Sequence, residues 1–357
     1  MAVKLDNLDE AKLEELQGKV IGDVAGSMGL LLAYMGDRLD LYSALAEISP
    51  ATSEELASNT GLSERYVLEW LSANTAGGYI NHDPASKKFS MTPEQAVIFA
   101  AEGHPHCMQG FFQAVMSAYI DEPKATEVFR TGKGLPWADH NPCLFCGTER
   151  FFRPMYAASL VDAWIPALDG VREKLEAGAK VADIGCGHGS STIIMAQAFP
   201  NSTFHGFDFH EPSIEHARER ARSAGVAANT IFEVVTAKEY PGKDYDLVAI
   251  FDALHDMGDP VGACAHIAST LADGGTFMLV EPTAGDSLQE NLHPLGQIYY
   301  SFSTTVCVPA SKAQEVGLAL GAQAGQKRLT EVLNEGGFTR VRRATETPTN
   351  IVLEARR

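Results

Sequence analysis

The chain has 357 residues, 45% of them apolar, with 28 basic against 46 acidic side chains and a formal charge of −18. That length suits two domains with a connecting segment, and a field of that sign repels phosphate backbones and anionic lipid, which excludes nucleic acid and membrane as default partners. Six cysteines are too few for a disulfide scaffold and no apolar run is long enough for a membrane span, so the chain is expected to be soluble, cytoplasmic and mostly reduced.

Residues 1–100 predict a mainly helical domain with one short β-ribbon. MAVKLDNLDEAKLEELQGKV is an acidic amphipathic stretch with no apolar core behind a basic start, so it predicts a surface helix rather than a signal peptide. Leu30 to Leu45 offers an apolar face to a second copy of the chain. Within TSEELASNTGLSERYVLEWLSANTAGGYI (52–80), Thr52 or Ser53 caps a short helix, Glu55 is placed for a capping box and Gly61 ends the helix. Ser63 caps the next helix, Val67, Leu68 and Leu71 follow at helical spacing, and Gly77-Gly78 breaks it. YINHDPASKKFSMT supplies two extended runs about a turn, which completes a winged helix. Its charge argues against DNA: between 51 and 95, Arg65, Lys87 and Lys88 stand against Glu54, Glu55, Glu64, Glu69, Asp83 and Glu94, whereas a reading head must neutralise phosphates. A dimerisation and lid domain is expected instead.

Residues 101–170 predict a helical connector and active-site lid: an apolar helix at 108–120, a Gly/Pro loop at 131–143 and a helix at 148–168. Aromatic helices at a domain junction often wall a ligand pocket, and Trp137, Phe152 and Tyr156 are the expected wall. Arg150 and Arg153 are candidates to hold a substrate carboxylate bidentately, or to lie on a solvated helix face. HPHC (104–107) and HNPCLFC (140–146) supply His104, His106, Cys107, His140, Cys143 and Cys146. Cys143 and Cys146 have C-x-x-C spacing, but the second pair that a structural zinc site requires is irregular, and no metal is expected.

From 171 to 357 strands and helices alternate: VADIG, STIIMAQAF, TFHGFD, SIEHARERARSAG, IFEVVT, DLVAIFD, VGACAHIASTLA, TFMLVEP, KRLTEVLNEGG, FTRVRRAT and TNIVLEAR. This alternation predicts a doubly wound parallel sheet, its last two strands antiparallel at one edge. Ligands bind such sheets beyond the carboxyl ends of the strands, where DIGCGHG (183–189) follows the first strand. Its glycines, Gly185, Gly187 and Gly189, do not have the G-x-G-x-x-G spacing of dinucleotide sites, which counts against an oxidoreductase, and there is no Gly-Lys-Ser/Thr of a P-loop. Asp183 just ahead disfavours a pyrophosphate. Asp208, nineteen residues past Gly189, stands where an acid accepts hydrogen bonds from ribose hydroxyls, with Phe209 beside it for adenine. Thr236, Ala237 and Lys238 follow the third strand, and Phe251, Asp252 and His255 follow the fourth at the reactive end. An adenine, a ribose and no phosphate point to S-adenosylmethionine.

In DIGCGHG, Asp208 and ALHDMGDP (253–260), the chain resembles the class I S-adenosylmethionine-dependent methyltransferases, over roughly 171–357. The winged-helix front narrows the resemblance to small-molecule methyltransferases, such as the natural-product O-methyltransferases. The resemblance implies a Rossmann-like catalytic domain, a small-molecule acceptor and a homodimer. His255 is the foremost candidate base for an acceptor that must lose a proton, the alternative being that it only bonds Asp252 or Asp256 and shapes the loop. His293 and Tyr299 are further candidates. A thioether, or the thiol of a carboxylic acid, is the acceptor class expected to manage without such a base. A ligand-sensing winged-helix regulator is the non-enzyme alternative.

Overall fold

The computed structural model describes residues 8–357; the first seven residues of the expected amino-terminal helix lie outside the described residues. The chain divides into two compact units, one ending at Met116 and one running from Ser117 to Arg357.

In the first unit, α1 (Glu10–Arg38) is followed by α2 (Leu41–Ile48), α3 (Ser53–Thr60), α4 (Glu64–Ala76), the ribbon β1 (Asn81–Asp83) and β2 (Lys88–Ser90), and α5 (Pro93–Phe99). The expected signals act locally. Thr52 and Glu55 form the reciprocal capping box of α3, and Gly61 ends it at φ 69°. Thr92 and Gln95 repeat the box on α5. Ser63 stands at the start of α4, but its side chain makes no cap bond. Leu41, Tyr42, Leu45, Leu56, Trp70, Leu71 and Phe99 build the core of this unit. The Tyr42 hydroxyl donates to Asn74 Oδ1 at 2.5 Å, so this buried polar pair is satisfied.

α6 (Gln109–Ile120) spans the division, and α7 (Glu122–Thr131) and α8 (Pro142–Ser159) follow. α8 begins six residues ahead of the expected helix start at Thr148. Asn141 caps it by accepting the Cys143 N–H at 3.0 Å, and Pro142 occupies the first turn. Cys143 and Cys146 therefore lie one helical turn apart. The helix ends in a π turn (Leu160–Trp164), also short of the expectation.

The second unit continues with α9 (Val171–Ala177), β3 (Lys180–Ile184), α10 (Ser190–Ala198), β4 (Thr203–Asp208), α11 (Glu211–Ser223), β5 (Thr230–Val234), β6 (Tyr245–Phe251), α12 (Pro260–Thr270) and β7 (Leu271–Pro282). α13 (Pro294–Phe302), α14 (Val308–Lys312), α15 (Gly325–Glu335), β8 (Arg340–Glu346) and β9 (Asn350–Arg356) complete it. The seven strands run in the order β5-β4-β3-β6-β7-β9-β8. Pairing is parallel from β5 to β7, and β9 inserts antiparallel between β7 and β8. The central strands are apolar on both faces, as a sheet covered by helices on both sides requires: Val181, Ala182, Val248 and Ala249 are fully buried. Register sets Asp183 opposite Gly206 of β4 and Ala249 of β6. The carboxyl ends of β3, β4 and β6 therefore lie side by side at the point where the strand order reverses.

Candidate active site

The glycine loop connects β3 to α10. Gly189 has φ 74°, and a Cβ there would stand 2.9 Å from both Ala217 and Phe232. It is glycine because helix and strand pack against it. Gly187 is different: φ is 51° and a Cβ would meet nothing within 4 Å, because the backbone there faces open cavity. Its N–H donates to Asp208 Oδ2 at 2.9 Å, and the His210 N–H donates to Oδ1 at 2.8 Å. Asp208 is thereby held at the end of β4, directly against the loop. Burial raises its pKa, against the pull of the two N–H donors.

A cavity of about 510 Å³ opens over these strand ends. Its floor is Gly185, Gly187 and His188, with Asp208 and Phe209 from β4. Val235 to Glu239 flank it beyond β5, and Phe251, Asp252, Ala253, Asp256 and Met257 beyond β6. The opposite wall is Trp137 with Phe145, Glu149, Phe152, Arg153 and Tyr156 of α8, closed by Ala310, Gln314 and Glu315. The volume and the aromatic wall suit a drug-sized ligand pair rather than a polymer.

The charges on this wall are mostly committed. Arg153 Nε stands 3.0 Å from Glu149 Oε1, and the same carboxylate oxygen is 2.6 Å from Arg220 Nη1. Lys238 Nζ bridges Asp259 at 3.0 Å and Glu315 at 2.8 Å, tying the segment after β5 to the one after α14. His188 is neutral near pH 7, since burial and neighbouring His216 push it down to about 4. Asp252, at φ 49°, takes one hydrogen bond on each oxygen: the Tyr156 hydroxyl at 2.6 Å and Asn350 Nδ2 at 2.7 Å. Burial nonetheless pushes its carboxyl up to about 7, and Glu281 adds to that rise. A non-glycine residue at positive φ on a cavity wall is backbone strain of the kind that collects at functional sites.

His255 lies one layer deeper, 5% exposed. Its Nδ1 is 2.5 Å from Glu281 Oε2, and Nε2 is 3.4 Å from Asp256 Oδ1. Burial works against its charge, but the two carboxylates outweigh burial and hold the pKa well above the ordinary histidine value. Cys307 closes this group from the π turn between α13 and α14, and its thiol is pushed up to about 12 by burial. His255, Asp256 and Cys307 are the one place among the described residues where three metal-ligating types converge, their ligand atoms within 4.8 Å. The C-x-x-C and HPHC segments make no such group.

Of the residues expected for the cofactor, Gly185, Gly187, Asp208, Phe209, Ala237, Lys238, Phe251 and Asp252 line the cavity. Asp183 and Gly189 stand behind it. Asp183 is buried and accepts the Ser191 and Thr192 hydroxyls at 2.6 Å each. Its Oδ1 has no hydrogen-bond partner, and burial raises the carboxyl to about 6. It braces the start of α10 rather than presenting charge to a ligand. Lys238 is held in its ion pairs rather than free to meet adenine. Of the expected acceptor wall, Trp137, Phe152, Arg153 and Tyr156 are on the cavity and Arg150 is not. His255 sits behind Asp256 rather than on the surface. His293 caps α13, its Nδ1 accepting the Gly296 N–H at 3.1 Å, and lines a separate open groove. Tyr299 donates to the Thr349 carbonyl at 2.8 Å and packs beside Leu144 and Cys307. Neither residue reaches the cavity. Glu281, Glu149 and Glu315 were not anticipated, and Asp256 was expected only as a partner of His255, which it is at 3.4 Å, not as a cavity residue. The HDM run signals Asp256, whereas nothing local marks the other three, which arrive from distant segments.

A family model described as a methyltransferase domain matches residues 175–337. A second, a Rv2258c-like winged HTH domain, matches residues 26–100. These matches put a methyltransferase domain at 175–337 behind a winged HTH domain at 26–100. The chain is 36% identical over 118 residues to the 27-O-demethylrifamycin SV methyltransferase of Amycolatopsis mediterranei, a stretch covering 31% of this chain and 43% of that protein. It is 30% identical over 122 residues to the trans-aconitate 2-methyltransferase of Paracidovorax citrulli, covering 34% and 45%. The match spans less than half the length of these curated relatives. The structure of the mitomycin 7-O-methyltransferase aligns with TM-score 0.74 at 18% identity, covering 98% of this chain and all (100%) of that one. Human N-acetylserotonin methyltransferase, solved with S-adenosylmethionine, aligns with TM-score 0.70 at 14% identity over 99% of both chains. At such identities the likeness is one of fold. The methyltransferase cofactor is S-adenosylmethionine, and the residues here fit it. Gly187 leaves bare backbone facing the cavity, Asp208 presents a buried carboxylate beside it, and no phosphate-binding loop is present.

Proposed function

We propose that this protein O-methylates a small, largely apolar acceptor bearing a hydroxyl group. The observation that carries this reading is the single cavity joining the Gly187–Asp208 cradle to the aromatic wall of α8. When bound, the cofactor supplies an electrophilic methyl group on a sulfonium whose leaving group is a neutral thioether. No acid is needed to assist departure. What remains for the protein is alignment, exclusion of water and disposal of the acceptor's proton.

Gly185, Gly187 and Asp208 hold the nucleoside, with Phe209, Ala237 and Phe251 supplying its apolar surroundings. Trp137, Phe145, Phe152 and Tyr156 exclude water from the reacting end. Asp256 faces the cavity and takes the hydroxyl proton. Behind it His255, fixed by Glu281, orients the carboxylate. A thioether acceptor has no use for this cluster, which is why a hydroxyl is the favoured nucleophile. Arg153 is already paired with Glu149, so an anchoring role for it would require that pair to open.

The expected assembly is a homodimer. Leu13, Leu16, Val20, Ile21, Val24 and Met28 of α1 are each more than half exposed, an apolar stripe at spacings of three and four that a second copy of the helix would cover.

Calorimetric titration with S-adenosylmethionine and S-adenosylhomocysteine tests the cavity assignment. Micromolar binding of both is expected, and no binding by well-folded protein would reject it. With an acceptor in hand, Asp256→Asn should lower kcat about 10²-fold or more with cofactor affinity retained. An unchanged kcat would remove Asp256 from the reaction.

A further inference from the structure

We infer that Asp252 is the residue by which this protein distinguishes the sulfonium of the cofactor from the neutral thioether of its product. The inference rests on the cavity being the cofactor site, and it concerns one carboxyl group within it.

The sheet order places the successive parts of the ligand. Across the strand ends lie Val235 to Lys238 beyond β5, Asp208 at the end of β4, the glycine loop after β3, and Asp252 after β6. A nucleoside whose ribose is held by Asp208 extends across the glycine loop towards β6. Asp252 is then the first carboxylate on the wall past the ribose. It adjoins the loop directly, because a Cβ on Gly185 would stand 3.0 Å from the Cβ of neighbouring Ala253.

Asp252 is also built to stay where it is. Tyr156 of α8 and Asn350 of β9 each bond one oxygen, from 96 and 98 residues away in sequence. Its own residue is held at positive φ, a conformation that costs energy unless the surroundings enforce it. Neither partner is cationic. Four other carboxylates of the wall stand by basic side chains: Glu149 by Arg153, Asp259 and Glu315 by Lys238, Asp256 by His255; Asp208 takes two backbone N–H donors and Glu239 the Thr236 hydroxyl. Asp252 thus has hydrogen bonds but no ion pair on the wall, the neighbouring His255 being held by Glu281 behind it, at a place where a positive charge on the ligand is expected. A sulfonium supplies that charge and a thioether does not. In a site with little water, one carboxylate close to a charge decides between two otherwise identical ligands, since Coulomb energy scales inversely with the effective dielectric.

The test compares equilibrium binding of S-adenosylmethionine, sinefungin (an ammonium-bearing analogue) and S-adenosylhomocysteine to the wild type and to Asp252→Asn at pH 8. The expected result is that the variant loses about 10-fold or more affinity for the two ligands with a positive charge at the sulfur position and changes little towards S-adenosylhomocysteine. A purely structural role would move all three affinities together, and that result would overturn the inference. So would an unchanged set of affinities. If none of the three binds the wild type, it is the cavity assignment that fails. Should Asp252→Asn not fold, the wild type answers through pH. The groups facing Asp252 are Tyr156, Asn350, Tyr299, Glu281 and His255. The preference for sinefungin over S-adenosylhomocysteine should grow as pH rises from 6 to 8, and a flat ratio would overturn the inference.

Discussion

Three aspartates on adjoining strand ends have different fates, set by what their oxygens meet, and Asp183 is spent behind the cavity on the Ser191 and Thr192 hydroxyls. Asp208 takes two backbone N–H donors and turns a carboxylate to the cavity. Asp208→Ala should weaken S-adenosylmethionine binding more than tenfold, because a charge-assisted bond to ribose is lost; unchanged affinity by calorimetry would reject the assignment. Asp252 carries a cost in the unliganded protein. Its ordinary value is 3.8 and its folded value about 7. Well below pH 3.8 the group is neutral in both states and costs nothing. As pH rises towards 7 the unfolded chain ionises first, so this residue progressively lowers stability, and the loss is complete above the folded value. Asp252→Asn should therefore raise the melting temperature of the ligand-free protein at pH 8 by about 2–4 °C, while pH 3.5 leaves it nearly unchanged. A lower melting temperature at pH 8 would mean that the two hydrogen bonds outweigh the buried charge. Such a trade of stability for binding is common at functional sites. None of this is visible in the linear chain: IFDAL announces an acid at a strand end, but the partners of Asp252, Tyr156 and Asn350, come from elsewhere.

At the scale of the element, the glycine loop separates two reasons for a missing side chain. Gly187→Ala adds a methyl into open space at φ 51°. It should cost about 1–2 kcal/mol of stability from the left-handed backbone and obstruct the cofactor, so the folded variant should bind S-adenosylmethionine at least ~10-fold more weakly. Gly189→Ala drives a methyl to 2.9 Å from Ala217 and Phe232 and should destabilise the fold in denaturant titration more than Gly187→Ala does. The reverse order would contradict the packing described here. Helix α8 teaches a related lesson. Its aromatic residues were legible as a wall, yet its start was misplaced, because Pro142 and the cysteines read as loop. Asn141 and Pro142 together are a start signal, and C-x-x-C spacing is equally one turn of helix. Lys238 was legible as a residue of the cavity rim beyond β5. Its ion pairs with Asp259 and Glu315 were not, since Glu315 stands 77 residues away.

For the whole molecule, the proposed dimer depends on the exposed stripe of α1. Replacing Val20 and Val24, each more than half exposed, by glutamate should convert the protein to a monomer in sedimentation with its circular dichroism unchanged. An unaltered assembly would place the interface elsewhere. By itself the sequence determined the order of elements, the doubly wound sheet, the winged helix with its capping box, and the cofactor class. These follow from hydrophobic period, capping chemistry and glycine spacing, which are local and act within a few residues. Only the tertiary structure decided which acids meet the ligand and which brace the fold, that His255 stands behind Asp256 with Glu281 across from it, and that His293 and Tyr299 are spent on a cap and a carbonyl. Those outcomes depend on burial and on partners up to 98 residues apart. A side chain's charge and hydrogen bonds are set by the neighbours that packing brings, and no spacing along the chain encodes them.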